Sequence, residues 1–410
     1  SVMAFTVTAT SALDRTKTTS VTFHASTSET KKLDGVTEIG MEFTDQTKSV
    51  DLSSFTLGTF DGAKIKDGAD LAGVTYEDGS LKLGSANFDN TLWGNQTVVA
   101  TFMTINGGAV ERVTNVEIPV LLVTKYIGTL EEARKLYDYT VAVDGDANVR
   151  GAYFVQTADI TANNERIGFG DKGDATGWVW KNEFTGGYDG RNHSIDNVNQ
   201  SNIFGGFFGK MNAGSFVKNV IFTNATLGTD AGGFISTDCY GTIENVVVYG
   251  QIGGTQKDPY SPVAANAMSG SKINNCLVII TAHGNWNGCK VGMITGNRAE
   301  DATIANCIGI SLKVGNDTEQ SNAWSPLPCI HVGNLADFSG DDNGVKSLHL
   351  WKVDGDHPCA VEGCSSYESW IGTNPDTSIY ANGTWHIDET TKKIVVNNET
   401  ANSLFAAMQA

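Results

Sequence analysis

Five tetrads in the middle of the sequence decide the fold: Ile195-Asp196-Asn197-Val198, Val217-Lys218-Asn219-Val220, Ile243-Glu244-Asn245-Val246, Ile273-Asn274-Asn275-Cys276 and Ile304-Ala305-Asn306-Cys307. Each contains a branched aliphatic residue, a variable residue, an asparagine and a small apolar residue. Successive asparagines are 22, 26, 30 and 31 residues apart. A unit of this length cannot bury its own apolar face, but stacked units form one continuous core. The tetrads therefore predict a right-handed β-helix, a form of β-solenoid, over residues 151–335.

The five asparagines are expected to lie in a single column at a strand-to-turn corner. Neighbouring coils would be about 4.8 Å apart, so the side-chain amides can bond one another and nearby backbone groups. Cys276 and Cys307 occupy the position that Val198, Val220 and Val246 hold in the other tetrads. We therefore expect both cysteines to be buried as apolar side chains, and a disulfide between them is possible without being required.

A second repeated register lies between the tetrads and is rich in glycine. Its members are Ile203-Phe204-Gly205-Gly206-Phe207-Phe208-Gly209, Ala231-Gly232-Gly233-Phe234-Ile235 and Val291-Gly292-Met293-Ile294. Because the spacing between tetrads varies, insertions are expected in the outer turns rather than in the strands.

The first 125 residues have a different pattern, in which short blocks alternate apolar and polar residues. Turn signals such as Asp67-Gly68, Asp78-Gly79 and Asn106-Gly107-Gly108 separate these blocks. About seven strands in this length predict an immunoglobulin-like β-sandwich over residues 1–125. The Cys…Trp…Cys signature of antibody domains is absent, so this prediction concerns architecture alone.

Residues 126–150 are predicted to form a helical connector. Thr129 and Glu132 have the spacing of a capping box at a helix start. Residues 336–410 keep β character and are expected to close the open end of the solenoid as a β-rich cap, because uncovered strand edges invite further pairing. The whole chain is thus predicted to be all-β.

Composition excludes several classes of partner. The 46 acidic residues outnumber the 28 lysines and arginines and give a net charge of −18, which repels nucleic-acid phosphates and anionic lipid surfaces. No apolar run reaches the roughly 18 residues that a membrane-spanning helix needs. We therefore expect neither nucleic-acid binding nor membrane insertion. All seven cysteines follow residue 238, which is not the pattern of a small disulfide-stapled domain.

Part of the chain resembles the GLUG-type repeat proteins. The resemblance rests on 153–160, on Phe184-Thr185-Gly186-Gly187-Tyr188-Asp189-Gly190-Arg191-Asn192-His193-Ser194-Ile195 and on Gly205-Gly206-Phe207-Phe208-Gly209. It covers residues 150–310 well and the remainder loosely, and the glycine element decays in later coils. Those proteins are adhesin-like bacterial surface proteins, often with immunoglobulin-like domains, and similar solenoids occur in phage fibre and virion decoration proteins. The resemblance implies exposure on a cell or virion surface and adhesion to a host glycan, a surface protein or neighbouring subunits. It transfers no catalytic residues.

The alternative is a polysaccharide-degrading enzyme, because lyases and glycosidases also use β-helices. Glycoside hydrolysis requires two carboxyl groups about 5 to 9 Å apart. Asp189 and Asp196, with His193 between them, are the nearest approach to such a pair. The Asp-Gly-x-x-His pattern also has a structural interpretation, as a tight turn with a side chain bonded back to the backbone. No acidic column persists in later tetrads, so we expect no catalytic site.

The sequence gives little support for a metal site, and we expect no cofactor. The segment Asp144-Gly145-Asp146-Ala147-Asn148 begins like an EF-hand loop, but Val149 and Val155 stand where glycine and glutamate are needed. Weak Ca²⁺ binding remains possible there or at the acidic turns 341–344 and 354–356. A zinc site at His357, Cys359 and Cys364 has no recognisable fourth ligand spacing. A local Cys359–Cys364 disulfide is the competing possibility.

Four tryptophans are the candidate ligand-binding residues. Trp178 and Trp180 share one face of a predicted strand, Trp286 lies in a Gly/Asn-rich loop, and Trp324 precedes Ser325-Pro326. Each could stack on the apolar face of a sugar ring. The alternative is that they pack on the solenoid core or on a flanking domain.

Overall fold

The computed structural model describes residues 3–44, 47–89, 92–139, 152–169, 183–200, 206–227, 232–252, 260–283, 294–311, 330–333, 383–388, 390–391 and 394–408. The chain is all-β and divides into two compact units, Ser1–Thr124 and Lys125–Ala410.

The first unit contains ten strands and one short 3₁₀ helix, Ser85–Asn87, in its described residues. The strands are β1 Met3–Thr10, β2 Thr18–Ala25, β3 Thr27–Lys32, β4 Ile39–Glu42, β5 Thr47–Asp51, β6 Thr59–Ile65, β7 Thr75–Glu77, β8 Ser80–Gly84, β9 Gly94–Asn106 and β10 Ala109–Val123.

These strands form a two-stranded hairpin and two larger sheets. β1 pairs with β2 alone, whereas one larger sheet has the order β3-β10-β9-β6 with β4 also on β10, and the other has the order β5-β8-β7. β3 and β4 run parallel to β10, and the other pairs are antiparallel. The two larger sheets contribute to one hydrophobic core that includes Leu81, Phe102 and Ile118.

Two of the predicted turns have the backbone that their residues favour. Asp78 and Gly79 have φ values of 48° and 79° and join β7 to β8 directly. Gly107 and Gly108, with φ values of 57° and 83°, join β9 to β10 in the same way. Two successive residues with positive φ form the type I′ hairpin turn, whose twist matches that of the flanking strands.

The second unit begins with β11 Lys125–Ile127 and helix α1 Leu130–Arg134, and its last helix is α2 Glu399–Met408. Its other strands are β12 Tyr153–Gln156, β13 Ile160–Thr161, β14 Glu183–Phe184, β15 Gly187–Asp189, β16 Ser194–Asp196, β17 Lys210–Met211, β18 Phe216–Lys218, β19 Ile221–Leu227, β20 Gly232–Gly233, β21 Ser236–Cys239, β22 Thr242–Glu244, β23 Val247–Ile252, β24 Tyr260–Ser261, β25 Ala264–Ala267, β26 Lys272–Asn274, β27 Leu277–His283, β28 Thr295–Arg298, β29 Thr303–Ala305, β30 Cys307–Ser311, β31 Ile330–Gly333, β32 Trp385–Ile387 and β33 Ile394–Val396.

Three parallel sheets make this unit a β-solenoid of about four turns. Sheet 1 has the order β11-β12-β15-β18-β22-β26-β29, sheet 2 the order β13-β16-β19-β23-β27-β30, and sheet 3 the order β14-β17-β21-β25-β28. β31 adds to sheet 2 as an antiparallel strand. Each coil passes through sheet 3, then sheet 1, then sheet 2, so the strands of each sheet pair with the equivalent strands of neighbouring coils. The solenoid predicted from the tetrads is confirmed.

The inward side chains of the three sheets form one core. It contains a series of aromatic rings, in which Phe184 and Phe208 have centroids 5.1 Å apart and Phe222 and Phe234 have centroids 5.0 Å apart. Helix α1 contributes Ala133 to this core. The Thr129 side chain accepts a hydrogen bond from the Glu132 amide at the helix start, as the capping-box spacing indicates.

The tetrad corner follows sheet 1 in four successive coils. Asn219, Asn245, Asn275 and Asn306 each come directly after a sheet 1 strand, with φ values of 55°, 54°, 51° and 53°. Asparagine tolerates this left-handed conformation better than most residues. The turn redirects the chain, so that the next residue points into the core.

Asn197 does not belong to this column, and the prediction of a single column of five is wrong at this position. Asn197 follows β16 in sheet 2, and the pairing of Asp196 with Thr223 places it next to Asn224. Both asparagines have positive φ, 58° and 48°. The tetrad thus marks the same local turn at a different corner of the solenoid.

A ladder of side-chain hydrogen bonds runs up the sheet 1 corner. The Asn219 Nδ2 donates to Asp189 Oδ1 at 2.9 Å, Asn245 Nδ2 donates to Asn219 Oδ1 at 3.2 Å, and Asn275 Nδ2 donates to Asn245 Oδ1 at 2.5 Å. Asn306 Nδ2 donates instead to Asn274 Oδ1 at 3.2 Å. We refer to Asp189, Asn219, Asn245 and Asn275 as the corner ladder.

The cysteines of the tetrads are buried thiols, as the sequence predicts. Cys276 and Cys307 belong to the solenoid core together with Val220 and Val246, and both are free. Val198 is also in the core, but it follows Asn197 at the other corner. Burial raises the pKa of the Cys276 thiol well above its usual range, so this thiol stays protonated and behaves as an apolar side chain.

The glycine register forms the corner between sheets 2 and 3, within residues 206–209 and 232–235. The Phe207 amide donates to the Phe234 carbonyl at 2.7 Å, and the Phe208 amide donates to the Ile235 carbonyl at 2.9 Å. Glycine is required at this corner because a Cβ on Gly233 would overlap the backbone oxygen of Ser236. Residues 203–205 and 291–293 lie outside the described residues.

The described C-terminal residues lie along the side of the solenoid. Thr384 Oγ1 donates to the Asn245 carbonyl at 2.5 Å, and Trp385 Nε1 donates to the Asn275 carbonyl at 2.9 Å. Asn398 Nδ2 donates to Asp159 Oδ1 at 3.0 Å. These contacts reach from a late coil back to the first one. The described part of the segment thus covers the corner ladder and does not lie over an open end of the solenoid, whereas residues 336–382 of the predicted cap lie outside the described residues.

Sheet 2 and the C-terminal segment both have apolar side chains that this position can bury. Sheet 2 has a second row of apolar side chains that does not belong to the solenoid core, although its members are fully buried: Ile221, Val247, Leu277 and Ile308. In the C-terminal segment Trp385, Ile387, Ile394 and Val396 are also buried. The hydrogen bonds to the corner place the β32–β33 hairpin beside this row.

Candidate binding surface

The four candidate tryptophans, Trp178, Trp180, Trp286 and Trp324, lie outside the described residues. The same is true of the acidic segments at 144–148, 341–344 and 354–356, and of the residues weighed for zinc or a disulfide, His357, Cys359 and Cys364. The ligand-binding and metal predictions for these residues stay predictions. Among the described residues, no group of three or more histidine, cysteine or acidic side chains is arranged to hold a metal ion.

The two carboxylates of the enzyme hypothesis lie on different sheets. Asp189 ends β15 in sheet 1, and its Oδ1 accepts hydrogen bonds from the Arg191 amide at 3.0 Å and from Asn219 at 2.9 Å. Its Oδ2 lies 3.4 Å from Lys218 Nζ. Asp189 is therefore the first residue of the corner ladder. Its hydrogen bond from the Arg191 amide belongs to the tight turn that the Asp-Gly-x-x-His pattern suggested.

Asp196 ends β16 in sheet 2 and has an equally structural environment. Its Oδ1 accepts hydrogen bonds from Thr223 Oγ1 at 2.8 Å and from Asn224 Nδ2 at 2.7 Å, both in the next coil. His193 Nδ1 lies 3.4 Å from Asp159 Oδ1 in the preceding coil. Each of the three side chains therefore joins one coil to its neighbour, and the structure does not bring Asp189 and Asp196 to a common face.

The outer face of sheet 3 carries a continuous set of half-exposed or exposed polar side chains. The strand register places one residue from each coil in a column: Glu183, Lys210, Asp238, Asn266 and Asn297. Side chains alternate between the two faces of a strand. The neighbouring residues Phe184, Met211, Cys239 and Ala267 therefore point into the core and hold each strand in place. We call these five residues the sheet 3 column.

The members of the sheet 3 column bond one another along the solenoid axis. Lys210 Nζ donates to Glu183 Oε1 at 2.6 Å, Asn266 Nδ2 donates to Asp238 Oδ1 at 2.7 Å, and Asn297 Nδ2 donates to Asn266 Oδ1 at 2.9 Å. A side-chain amide offers two N–H donors and an oxygen with two lone pairs. The bonds within the column use part of this capacity and fix the orientation of the remainder.

A second row lies beside the sheet 3 column and adds an aromatic ring. Hydrogen bonds between coils align Asn212, Tyr240 and Met268, which are all half-buried. Lys210 Nζ lies 5.6 Å from the centroid of the Tyr240 ring. Asn212 Nδ2 donates to Glu183 Oε2 at 2.7 Å, which ties the two rows together.

The charges at the start of the sheet 3 column are matched. Hydrogen bonds from Asn212 and then from Lys210 hold the pKa of the Glu183 carboxyl below its usual range. The hydrogen bond to Glu183 raises the pKa of the Lys210 ammonium. Both groups are therefore charged near neutral pH and largely neutralise each other.

The sequence contains a weak signal for the sheet 3 column, which is harder to see than the tetrads. Asp238, Asn266 and Asn297 are separated by 28 and 31 residues, the same range as the tetrad spacing. Each follows two small residues, as in Ala264-Ala265-Asn266, but the flanking residues vary too much to form a visible motif.

The described residues contain no helix that is both long and apolar enough to cross a membrane. Comparisons with protein-family models, with curated proteins and with solved structures found no match to this chain. The surface chemistry of the solenoid is therefore the basis for a functional proposal.

Proposed function

We propose that this chain is a non-catalytic adhesive protein, exposed on a cell or virion surface, whose solenoid binds a linear carbohydrate along the outer face of sheet 3. The observation that carries the proposal is the sheet 3 column. It combines amides, carboxylates and one ammonium at one residue per coil, with Tyr240 beside them. Sugar hydroxyls act as both donors and acceptors, and an oriented amide can bond both kinds of group.

The regular spacing of the column favours a polymeric ligand. Strands of neighbouring coils are about 4.8 Å apart, which is of the same order as the repeat of a chain of sugar rings. Each coil can therefore contact a successive ring with the same chemistry. The Tyr240 ring can pack on the apolar face of one sugar, because aromatic side chains combine a large apolar surface with a polar tip.

A non-catalytic role is supported by what the candidate carboxylates do. Asp189 and Asp196 lie on different sheets and each accepts two hydrogen bonds that join or shape the coils. A glycosidase requires both carboxyl groups to flank one bond. Asp189 and Asp196, the pair on which the polysaccharide-degrading alternative rests, therefore do not favour it.

The order of strands in the first unit supports an immunoglobulin-like assignment for it, which is part of the proposal. In that fold the two sheets contain strands ABED and CFG. If β5 to β10 are taken as B to G, one sheet reads B-E-D and the other reads G-F-C. β3 and β4 then replace the first strand and pair with G instead of B. Immunoglobulin-like modules beside a solenoid are also what the GLUG-type resemblance implies.

The test is a glycan-array screen followed by calorimetric titration of any bound polysaccharide. The variant Asp238→Ala/Asn266→Ala removes the centre of the sheet 3 column and should weaken binding by about tenfold or more, since each lost ligand hydrogen bond is worth roughly 0.5–1.5 kcal/mol. Lys272→Ala is the matched control, because Lys272 is exposed on sheet 1. Equal affinity of wild type and double variant would refute the assignment to sheet 3.

A reducing-end assay on the same polysaccharides tests the enzymatic alternative. We expect no release of reducing ends by the wild-type protein. Release that disappears in Asp189→Ala and in Asp196→Ala, with circular dichroism unchanged, would favour the enzyme over the adhesive protein.

A further inference from the structure

The β1–β2 hairpin of the first unit has an unusual concentration of exposed apolar side chains. Val7, Leu13 and Val21 are 54%, 101% and 56% exposed, and they are three of the five large apolar residues that are exposed in the described part of the chain. Leu13 lies in the turn, and Val7 is paired directly with Val21. Clustered exposed apolar groups mark interaction sites more often than scattered ones do.

The two faces of the hairpin differ in chemistry. On one face, Thr6 bonds Thr22 with a distance of 3.0 Å between their hydroxyl oxygens, and Thr8 bonds Ser20 at 2.7 Å. Val7 and Val21 are on the other face because side chains alternate along a strand. Two positions along the ladder from this pair, Phe5 is paired with Phe23. The hairpin is thus an amphipathic ribbon with its apolar face towards solvent at Val7 and Val21.

The hairpin also has two open edges. Among the described strands, β1 and β2 pair only with each other. An isolated two-stranded hairpin is marginally stable in water, and unpaired strand edges are templates for further pairing. Burial of the apolar face would therefore stabilise both the ribbon and any complex that it forms.

We propose that the β1–β2 hairpin is a self-association arm, which packs its apolar face on the same face of the hairpin in a second copy of this chain. The charge distribution favours a second copy. β1 contains no charged residue, and β2 contains only His24 as a titratable group. The chain as a whole carries −18, so two copies repel each other over most of their surface. The strands of the arms carry no charged side chain, and Asp14, Arg15 and Lys17 in the turn sum to +1. Two copies can therefore approach at the arms, and a patch that meets itself gives a closed twofold dimer.

The size of the arm sets the expected affinity. Two strands of eight residues give a ribbon of about 27 Å by about 10 Å, or roughly 300 Å² per copy. This lies well below the roughly 800 Å² per partner of a stable complex. The dimer should therefore be weak in dilute solution. On a surface, where many copies are held close together, the same contact is strengthened by the high local concentration.

Sedimentation velocity on the full chain, from about 5 μM to about 500 μM, covers the range expected of a small interface. We expect the weight-average sedimentation coefficient to rise towards the dimer value with concentration. Added NaCl should strengthen the association, because it screens the repulsion between two chains of charge −18.

The matched pair of variants is Val7→Asp and Thr8→Asp. Both add one negative charge to β1, but on opposite faces of the ribbon. Val7→Asp should abolish the concentration dependence, and Thr8→Asp should retain it. A wild-type protein that stays monomeric throughout, or an equal loss in both variants, would overturn the proposal. Neither outcome bears on glycan binding by the solenoid, so the two proposals can fail separately.

Discussion

Replacement of Asn245 by alanine should destabilise the second unit by about 2–5 kcal/mol, and the structure separates this loss into two parts. Asn245 has a φ of 54°, and a left-handed backbone costs alanine about 1–2 kcal/mol. The side chain also donates to Asn219 and accepts from Asn275. The loss of these two bonds in a covered corner costs about 1–3 kcal/mol.

A second substitution at the same position distinguishes the two contributions. Asn245→Gly also removes both hydrogen bonds, but glycine adopts positive φ without strain. Asn245→Gly should therefore be less destabilising than Asn245→Ala by about 1 kcal/mol. Asn297→Ala is the control for the loss of an amide alone, since Asn297 is exposed, donates one bond within the sheet 3 column and has an ordinary φ. Its effect should stay within about 1 kcal/mol.

The assay is equilibrium unfolding in urea, followed by far-ultraviolet circular dichroism and by tryptophan fluorescence. Trp385 is fully buried and donates to the Asn275 carbonyl. Seven of the eight tryptophans, Trp385 among them, belong to the second unit, so the change in emission follows mainly the unfolding of that unit. The two units can unfold in separate transitions, and the comparison applies to the one in which Trp385 becomes exposed. If Asn245→Ala and Asn245→Gly both stay within about 0.5 kcal/mol of wild type, or if glycine is the worse substitution, the reasoning about the corner ladder is wrong.

Three further substitutions test the packing of the solenoid by the same unfolding measurement. Cys276→Val/Cys307→Val should change the free energy of unfolding by less than about 1.5 kcal/mol, because earlier coils hold valine in this slot; a larger loss would indicate a specific role for the thiols. Gly233→Ala should cost about 3 kcal/mol or more, because its Cβ overlaps backbone, whereas Gly62→Ala, with nothing within 4 Å, should be nearly neutral. Trp385→Phe should cost about 1–3 kcal/mol through the lost bond to a corner carbonyl, and a neutral result would remove the C-terminal segment from the account of stability.

The tetrads predicted the solenoid because each one specifies a turn of the chain, and a turn repeated at regular intervals builds stacked coils. A strand residue, a residue that tolerates positive φ and an apolar residue together turn the chain and return it to the core. The same reasoning failed for Asn197, because the local turn is identical at the sheet 1 and sheet 2 corners. Which corner a tetrad occupies depends on pairing with residues about 30 positions away, and a four-residue pattern does not contain that information.

The sheet 3 column and the position of the C-terminal segment were missed for related reasons. Asp238 and Asn266 become neighbours only when two coils are in register, and the two small residues before each of them are too common a pattern to mark the column. The β character of residues 336–410 was predicted, and β32 and β33 agree with it. Their docking along the corner depends on hydrogen bonds from Thr384 and Trp385 to backbone carbonyls, and any residue could supply those acceptors.

The contact of Asn398 with Asp159 joins residues 239 positions apart, which has a consequence for folding order. A simple repeat array grows from any nucleus, because each repeat contacts only its neighbours. The residues of the first coil are synthesised long before residues 383–408. The corner ladder of the nascent chain therefore stays uncovered until the C-terminal strands dock on it. Closure of such a distant loop is slow relative to local coil stacking. We therefore expect the nascent chain to pass through a stage that is open to proteases and to chaperones, and which ends when the tail docks.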